Sequence, residues 1–173
     1  MTTYITPSHT CGPLFGFHLL PAGIDHTVAE DDPSAVVIEG QVLDFQGQHL
    51  AFDAFLEFWS AGQACRARTL DGRFRAVLTR PEPVAIAGAG VQAPHIHIAL
   101  FARGLTRHLV TRMYFPQDSA AHASDPVFQQ IAPERRATLI GRPTGRPGHY
   151  QFDIRLQGTD ETVFFDTTLG PAP

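Results

Sequence analysis

Residues 93–115 read APHIHIALFARGLTRHLVTRMYF, and this stretch decides the fold. His95 to Phe101 and His108 to Phe115 are two runs rich in apolar and aromatic side chains, joined by Ala102-Arg103-Gly104-Leu105. Two such runs around a short connection containing glycine read as a β-hairpin. Further along, Tyr150, Phe152, Ile154 and Leu156 alternate with Gln151, Asp153 and Arg155. That period of two puts one face of a strand in a core and the other in water.

Working outward, Ala35 to Leu43 is β-branched and ends in a turn containing Gly47. Phe55 to Trp59 follows, then Arg73 to Leu78 after an Asp71-Gly72 turn signal, and Glu161 to Phe165 after Gly158. The small residues of Ala85 to Gly90 read as a loop. One helix is predicted from Asp125-Pro126, an N-cap followed by proline at the first helical position, with Pro133 ending it within two turns. The first 34 residues are punctuated by Pro7, Gly12, Pro13, Gly16, Pro21, Gly23 and Pro33, which forbids a long helix. The expectation is therefore an all-β fold: an antiparallel β-sandwich over residues 35–173 with an extended N-terminal arm over 1–34 and one short helix.

Composition sets the outer limits. The chain has 173 residues, enough for one domain with a substantial core. Its 13 basic residues, all arginine and scattered, face 17 acidic ones, for a net charge of −4. That balance argues against nucleic acid as a partner. No run of apolar residues is long enough to span a membrane, and no basic residue precedes Arg66, so no signal peptide is expected and the chain reads as cytoplasmic. Cys11 and Cys65 make neither a disulfide framework nor a zinc motif. Thirteen phenylalanines suggest an apolar interface as well as a core, with Trp59, Phe55, Phe74, Phe101, Phe152 and Phe164 read as one or the other.

The sharpest chemical feature is His95-Ile96-His97. On a strand, side chains two apart share a face, so both imidazoles project together and fit the spacing of a metal pair. Two histidines alone do not make a site, and paired histidines without metal are the competing reading. His108 lies on the following strand. His122 and His149 precede other elements and read as solvated. No Ser lies in a nucleophile elbow, and Gly88-Ala89-Gly90 opens no phosphate-binding helix.

The 93–115 string, with Thr10-Cys11-Gly12-Pro13, Phe55-Leu56-Glu57-Phe58-Trp59, Phe152 to Gly158 and Glu161 to Asp166, resembles the intradiol ring-cleavage dioxygenases in the family's own order over most of the chain. Within that family it is most similar to the alpha chains of hetero-oligomeric members. The resemblance implies a β-sandwich and a non-haem Fe(III) held by two Tyr and two His, with His95 and His97 matching the histidines. The tyrosines should fall between Ser60 and Pro94, where this sequence has none: its Tyr residues are 4, 114 and 150. Gln92 also stands where catalytic chains carry an arginine. The resemblance therefore implies that His95 and His97 are at most vestigial ligands and that Fe(III) is bound by a homologous beta chain. Alpha chains have usually lost one of these histidines, whereas this one keeps both.

The role implied for such a chain is to complete the beta chain's pocket for protocatechuate, cleaved with O₂ to 3-carboxy-cis,cis-muconate. The matching positions are Thr10, Gly12, Pro13 and Arg103, the last suited to a substrate carboxylate. Leu14 replaces a tyrosine that usually follows the Gly-Pro. Two other functions remain open on the sequence. One is a self-sufficient metalloenzyme using His95, His97 and His108; the other is a non-enzymatic homo-oligomeric binding sandwich.

Overall fold

The computed structural model describes residues 9–166 except positions 13, 14, 45, 50–53 and 61. Strands β1 (Ala35–Leu43), β2 (Ala54–Ser60), β3 (Gln63–Arg68), β4 (Arg73–Thr79), β5 (Val84–Ile86), β6 (Gly90–Gln92), β7 (His95–Ala102), β8 (Leu109–Tyr114), β9 (Arg142–Pro143), β10 (His149–Gln151) and β11 (Ile154–Arg155) follow in chain order. Helix α1 (Phe15–Leu19) lies in the arm, and α2 (Ser119–His122) follows β8.

Two sheets face each other, as the alternating strands require. One has the antiparallel order β3-β2-β7-β8. The other is built on β1, which pairs antiparallel with β4 along one edge and parallel with β10 and β11 along the other. The core between them includes Ile38, Leu56, Phe58, Ile96, Ile98 and Leu100, all fully buried. Because Ile96, Ile98 and Leu100 point into this core, the side chains between them, His95, His97, Ala99 and Phe101, must stand on the outer face of β7. This parity places the histidine pair outside the sandwich core.

The hairpin of residues 93–115 forms as predicted, with Gly104 at φ 96° in its turn. Asp71 (φ 50°) and Gly72 (φ 73°) make the tight turn into β4. The alternation from Tyr150 to Leu156 also holds in burial: Tyr150, Phe152 and Ile154 are inside. The strand is nevertheless split, since β10 and β11 keep one register against β1 but separate at Phe152–Asp153. There the chain arches over Gly40, where an added Cβ would overlap the Phe152 carbonyl oxygen and lie 2.6 Å from Phe74 Cζ.

Three expectations are corrected. Glu161 to Phe165 is not a strand; it makes one isolated bridge, between Val110 and Phe165, and one further backbone bond to β11, Thr162 N donating to Arg155 O at 3.0 Å. Between these points its backbone pairs with side chains, Val163 N donating to Thr138 Oγ1 and Val163 O accepting from Thr111 Oγ1. The predicted helix after Asp125 is only a 3-10 turn, Phe128–Gln130. Asp125 caps it as foreseen, but Ala132 is extended ahead of Pro133, as the proline ring demands, and the helix cannot propagate. Ala85 to Gly90 is not a plain loop either, because β5 and β6 pair as a small exposed hairpin whose turn holds Gly88 at φ 75°.

The arm is stitched to the sandwich. Arg66 N donates to Ile24 O, Thr27 N to Val77 O and Val77 N to Asp25 O, each at 2.9–3.0 Å. Phe15 of α1 packs on Phe55 of β2, with ring centroids 5.1 Å apart. No helix among the described residues is long and apolar enough to cross a membrane.

Candidate functional site

The outer face of the β2-β7-β8 region carries the sequence-predicted residues in two groups. At the start of β7, His95 lies opposite Tyr114 of β8, while His97 lies opposite Arg112 of β8 and Trp59 of β2. At its end, Arg103 sits in the β7–β8 turn. From His97 to Arg103 the chain runs about 20 Å at strand rise, so the two groups are separate sites.

The imidazoles converge as the strand parity predicts. Their Nε2 atoms are 3.0 Å apart, and His95 Nδ1 lies 2.7 Å from Ala93 O. A carbonyl oxygen only accepts, so His95 carries its proton on Nδ1 and presents a lone pair at Nε2. His97 Nε2–H then donates to that lone pair. Burial is the first cause holding both rings neutral, with the Arg112 guanidinium reinforcing it; His97 is pushed down to about 4 and His95 in the same direction.

Those facts test the pair as an iron site. A separation of 3.0 Å suits two nitrogens on one ion at about 2.1 Å each, so spacing alone does not exclude a metal. The donor set does not fit Fe(III). Two imidazoles alone do not complete an iron coordination shell, and as a hard cation Fe(III) favours anionic oxygens, yet among the described residues no group of three His, Cys, Asp or Glu side chains that could hold a metal ion gathers. Tyr114 brings a phenol ring to 5.5 Å from His95, but burial first of all raises its hydroxyl above the ordinary tyrosine range and keeps it protonated. Arg112 adds a fixed positive charge that acts on both rings and opposes a cation beside them. Its Nη1 donates to Tyr114 Oη at 3.2 Å and to Gln92 Oε1 at 3.4 Å. Gln92 thus does not leave the pair without a guanidinium: β8 delivers one from across the ladder.

Sequence reading missed the support beneath this pair. Asp125 is fully buried, its Oδ2 accepting from Ala93 N at 2.9 Å and its Oδ1 from Val127 N and Phe128 N at 2.8 and 2.9 Å. It therefore ties the loop after α2 to the residue whose carbonyl orients His95. The Asp-Pro signal gave its capping role but not this second bond. His122, read as solvated, is buried against Tyr114 and Phe128, with Nε2 lacking a hydrogen-bond partner. Trp59 is not core, being 50% exposed on the face beside His97. His108 stands apart from the pair, stacked on Phe101 at 5.1 Å. It cannot serve as a third ligand to His95 and His97 from there. Cys65 is buried, which pushes its thiol up to about 12 and leaves it inert.

At the other end of β7 the arm meets the turn. Thr10 Oγ1 accepts from Gly104 N at 2.7 Å and donates to Ala102 O at 3.4 Å. One hydroxyl thus clamps the arm to the turn that presents Arg103, which is exposed. A Cβ added to Gly12 would meet nothing within 4 Å of it among the described residues. Pro13 lies outside the described residues.

No protein-family model matches the chain. It is similar to protocatechuate 3,4-dioxygenase alpha chains from Burkholderia cepacia, at 37% identity over 93% of this chain and 96% of that one, and from Pseudomonas putida, at 38% over the same shares. A protocatechuate 3,4-dioxygenase beta chain from Burkholderia cepacia is 31% identical over 73% of this chain and 66% of its own. Among solved structures, catechol 1,2-dioxygenase from Pseudomonas arvilla C-1 matches with a TM-score of 0.56 at 23% identity, over 80% of this chain and 58% of that one. Chlorocatechol 1,2-dioxygenase from Pseudomonas putida matches at 0.58 and 20% identity, over 76% and 64%. Likenesses at those identities speak to the fold.

Proposed function

The chain belongs to the intradiol ring-cleavage dioxygenases, alongside the protocatechuate 3,4-dioxygenase alpha chains, and on that basis we propose that it is the non-catalytic alpha subunit of such an enzyme. Its partner is a homologous beta chain that binds Fe(III), and the assembly cleaves protocatechuate with O₂ to 3-carboxy-cis,cis-muconate. The iron, held by the beta chain, supplies the Lewis acidity that activates the catecholate. This chain supplies the border of the pocket.

The observation that carries the reading is the state of the histidine pair. The chain keeps the fold and both histidines, yet the two imidazoles bond to each other beside Arg112, and among the described residues no cluster of acidic side chains joins them. A family member so equipped contributes structure and binding surface rather than a metal centre.

Thr10, Gly12, Pro13 and Arg103 are the pocket-bordering residues in this reading. Thr10 fixes the arm against the Arg103 turn by two hydrogen bonds, so the arm and the guanidinium are presented as one unit. Gly12 has open space beside it among the described residues, which suits close approach by another chain. Arg103 offers a bidentate partner for the substrate carboxylate, and a loss of that pairing weakens ground state and transition state alike.

The test is Arg103→Ala in the complex with the beta chain. KM for protocatechuate rises about tenfold, equivalent to roughly 1.4 kcal/mol of binding, while kcat and iron content stay unchanged. An unchanged KM removes Arg103 from the pocket. Failure of the two chains to co-purify removes the subunit reading itself.

A further inference from the structure

Leu56 and Phe58 of β2 point into the core, so strand parity puts Phe55 and Trp59 on the outer face. Trp59 is 50% exposed there, whereas Phe55 is only 3% exposed. What covers Phe55 is a column of rings. Phe101, directly opposite it on β7, stacks on it with centroids 4.6 Å apart and planes within 4°. Phe15 of the arm closes over Phe55 at 5.1 Å, and His108 stacks on Phe101 at 5.1 Å. None of these four rings belongs to the hydrophobic core between the sheets.

The column stands where the arm meets the β7–β8 turn. Phe101 lies two residues before Arg103 and His108 lies beyond it, just ahead of β8, so the rings grip the turn from both of its ends. On the arm side, Phe15 N donates to Gly12 O at 3.4 Å, so the Phe15 ring carries the Gly12 segment with it. Thr10 holds only the backbone of Ala102 and Gly104. A planar stack adds what hydrogen bonds at an exposed turn do not, a fixed tilt and depth for the strand end. A bidentate guanidinium–carboxylate pair depends on such placement.

We propose that Phe101 and Phe55 are positioning residues for substrate binding: their stack holds the end of β7, and the arm with it, so that Arg103 meets the substrate carboxylate in register. The proposal rests on the pocket-border reading of Arg103 and adds to it two residues that act through that guanidinium.

Steady-state kinetics of the complex with the beta chain tests it. An aromatic pair of this kind contributes a factor of about 2–10. Phe101→Leu therefore raises KM for protocatechuate about fivefold, with kcat and iron content unchanged, because the loss is shared by ground and transition states. Phe55→Leu moves KM in the same direction, and Phe101→Tyr, which keeps the ring, holds it within twofold. Phe101→Leu combined with Arg103→Ala gives a KM within twofold of Arg103→Ala alone, since the ring then has no guanidinium left to position. Phe74→Leu, which removes a buried ring from the core, lowers stability but leaves KM within twofold. An unchanged KM in Phe101→Leu and Phe55→Leu, or effects that multiply in the double variant, overturns the proposal while a raised KM in Arg103→Ala keeps the pocket border. An unchanged KM in Arg103→Ala removes the border itself, and the proposal with it.

Discussion

Replacing Asp125 tests how the histidine pair is held. Its carboxylate accepts three backbone N–H groups, from Ala93, Val127 and Phe128, at 2.8–2.9 Å in a fully buried position. Asp125→Ala leaves all three donors without partners, and each such loss costs about 1–3 kcal/mol. Allowing for overlap between neighbouring bonds and some relaxation, the variant loses about 3–6 kcal/mol. Asp125→Asn keeps the Oδ1 acceptor for Val127 and Phe128 but turns an amide NH₂ toward Ala93 N–H, for a loss of about 2 kcal/mol. In a chain of 173 residues, each kcal/mol moves Tm by roughly 2–4 °C. Thermal and urea unfolding followed by circular dichroism should therefore rank the proteins Asp, Asn, Ala. The alanine variant should melt about 10–20 °C below the parent. A cost below about 1 kcal/mol for alanine, or equal costs for both variants, refutes the assignment of Asp125 as the tie between the loop and Ala93.

Two further outcomes follow from packing and charge. Gly40→Ala drives a methyl group into the Phe152 carbonyl and toward Phe74 Cζ at 2.6 Å, parting β1 from the β10–β11 arch. It should cost about 3 kcal/mol or more, and a loss within 0.5 kcal/mol in urea unfolding contradicts that contact. The lowered His97 gives a pH dependence of definite sign. Between its ordinary value near 6.5 and about 4, the unfolded chain takes up a proton that the folded chain resists. Stability is thus fully present above pH 6.5 and declines as pH falls through this window, by about 2 kcal/mol once partial solvent screening is allowed for. His97→Gln should flatten that part of the stability profile, and an identical slope in parent and variant rejects the coupling.

Much of the scaffold was legible in the chain itself. Ala35 to Leu43 and the 93–115 hairpin announce themselves through β-branched runs and a glycine turn, both local signals. The pairing of His95 with His97 needed only the parity of a strand. Arg112 is different: nothing near it in sequence marks it, and its place beside His97 follows from the register of β8 on β7. Asp125 was legible as a cap, since Val127 and Phe128 are its neighbours, but its bond to Ala93 spans a long loop closure. The break at Phe152–Asp153 escaped notice because its cause, Gly40, sits on a distant strand. Glu161 to Phe165 has the composition of a strand but finds threonine side chains where a ladder partner would be, a tertiary effect that propensity does not contain.

The proposed subunit role makes one central claim, supported by the absence of tyrosine between Ser60 and Pro94 and by the mutual hydrogen bond of the two histidines: the beta chain, not this chain, holds the iron of the assembly. Iron quantification on the complex with the beta chain tests that most directly, with the two chains then separated and the measurement repeated in His95→Ala and His97→Ala backgrounds. The account predicts iron in proportion to the beta chain, none carried by this chain, and no change in either variant. Iron retained by this chain, or lost from the complex when either histidine is replaced, contradicts it.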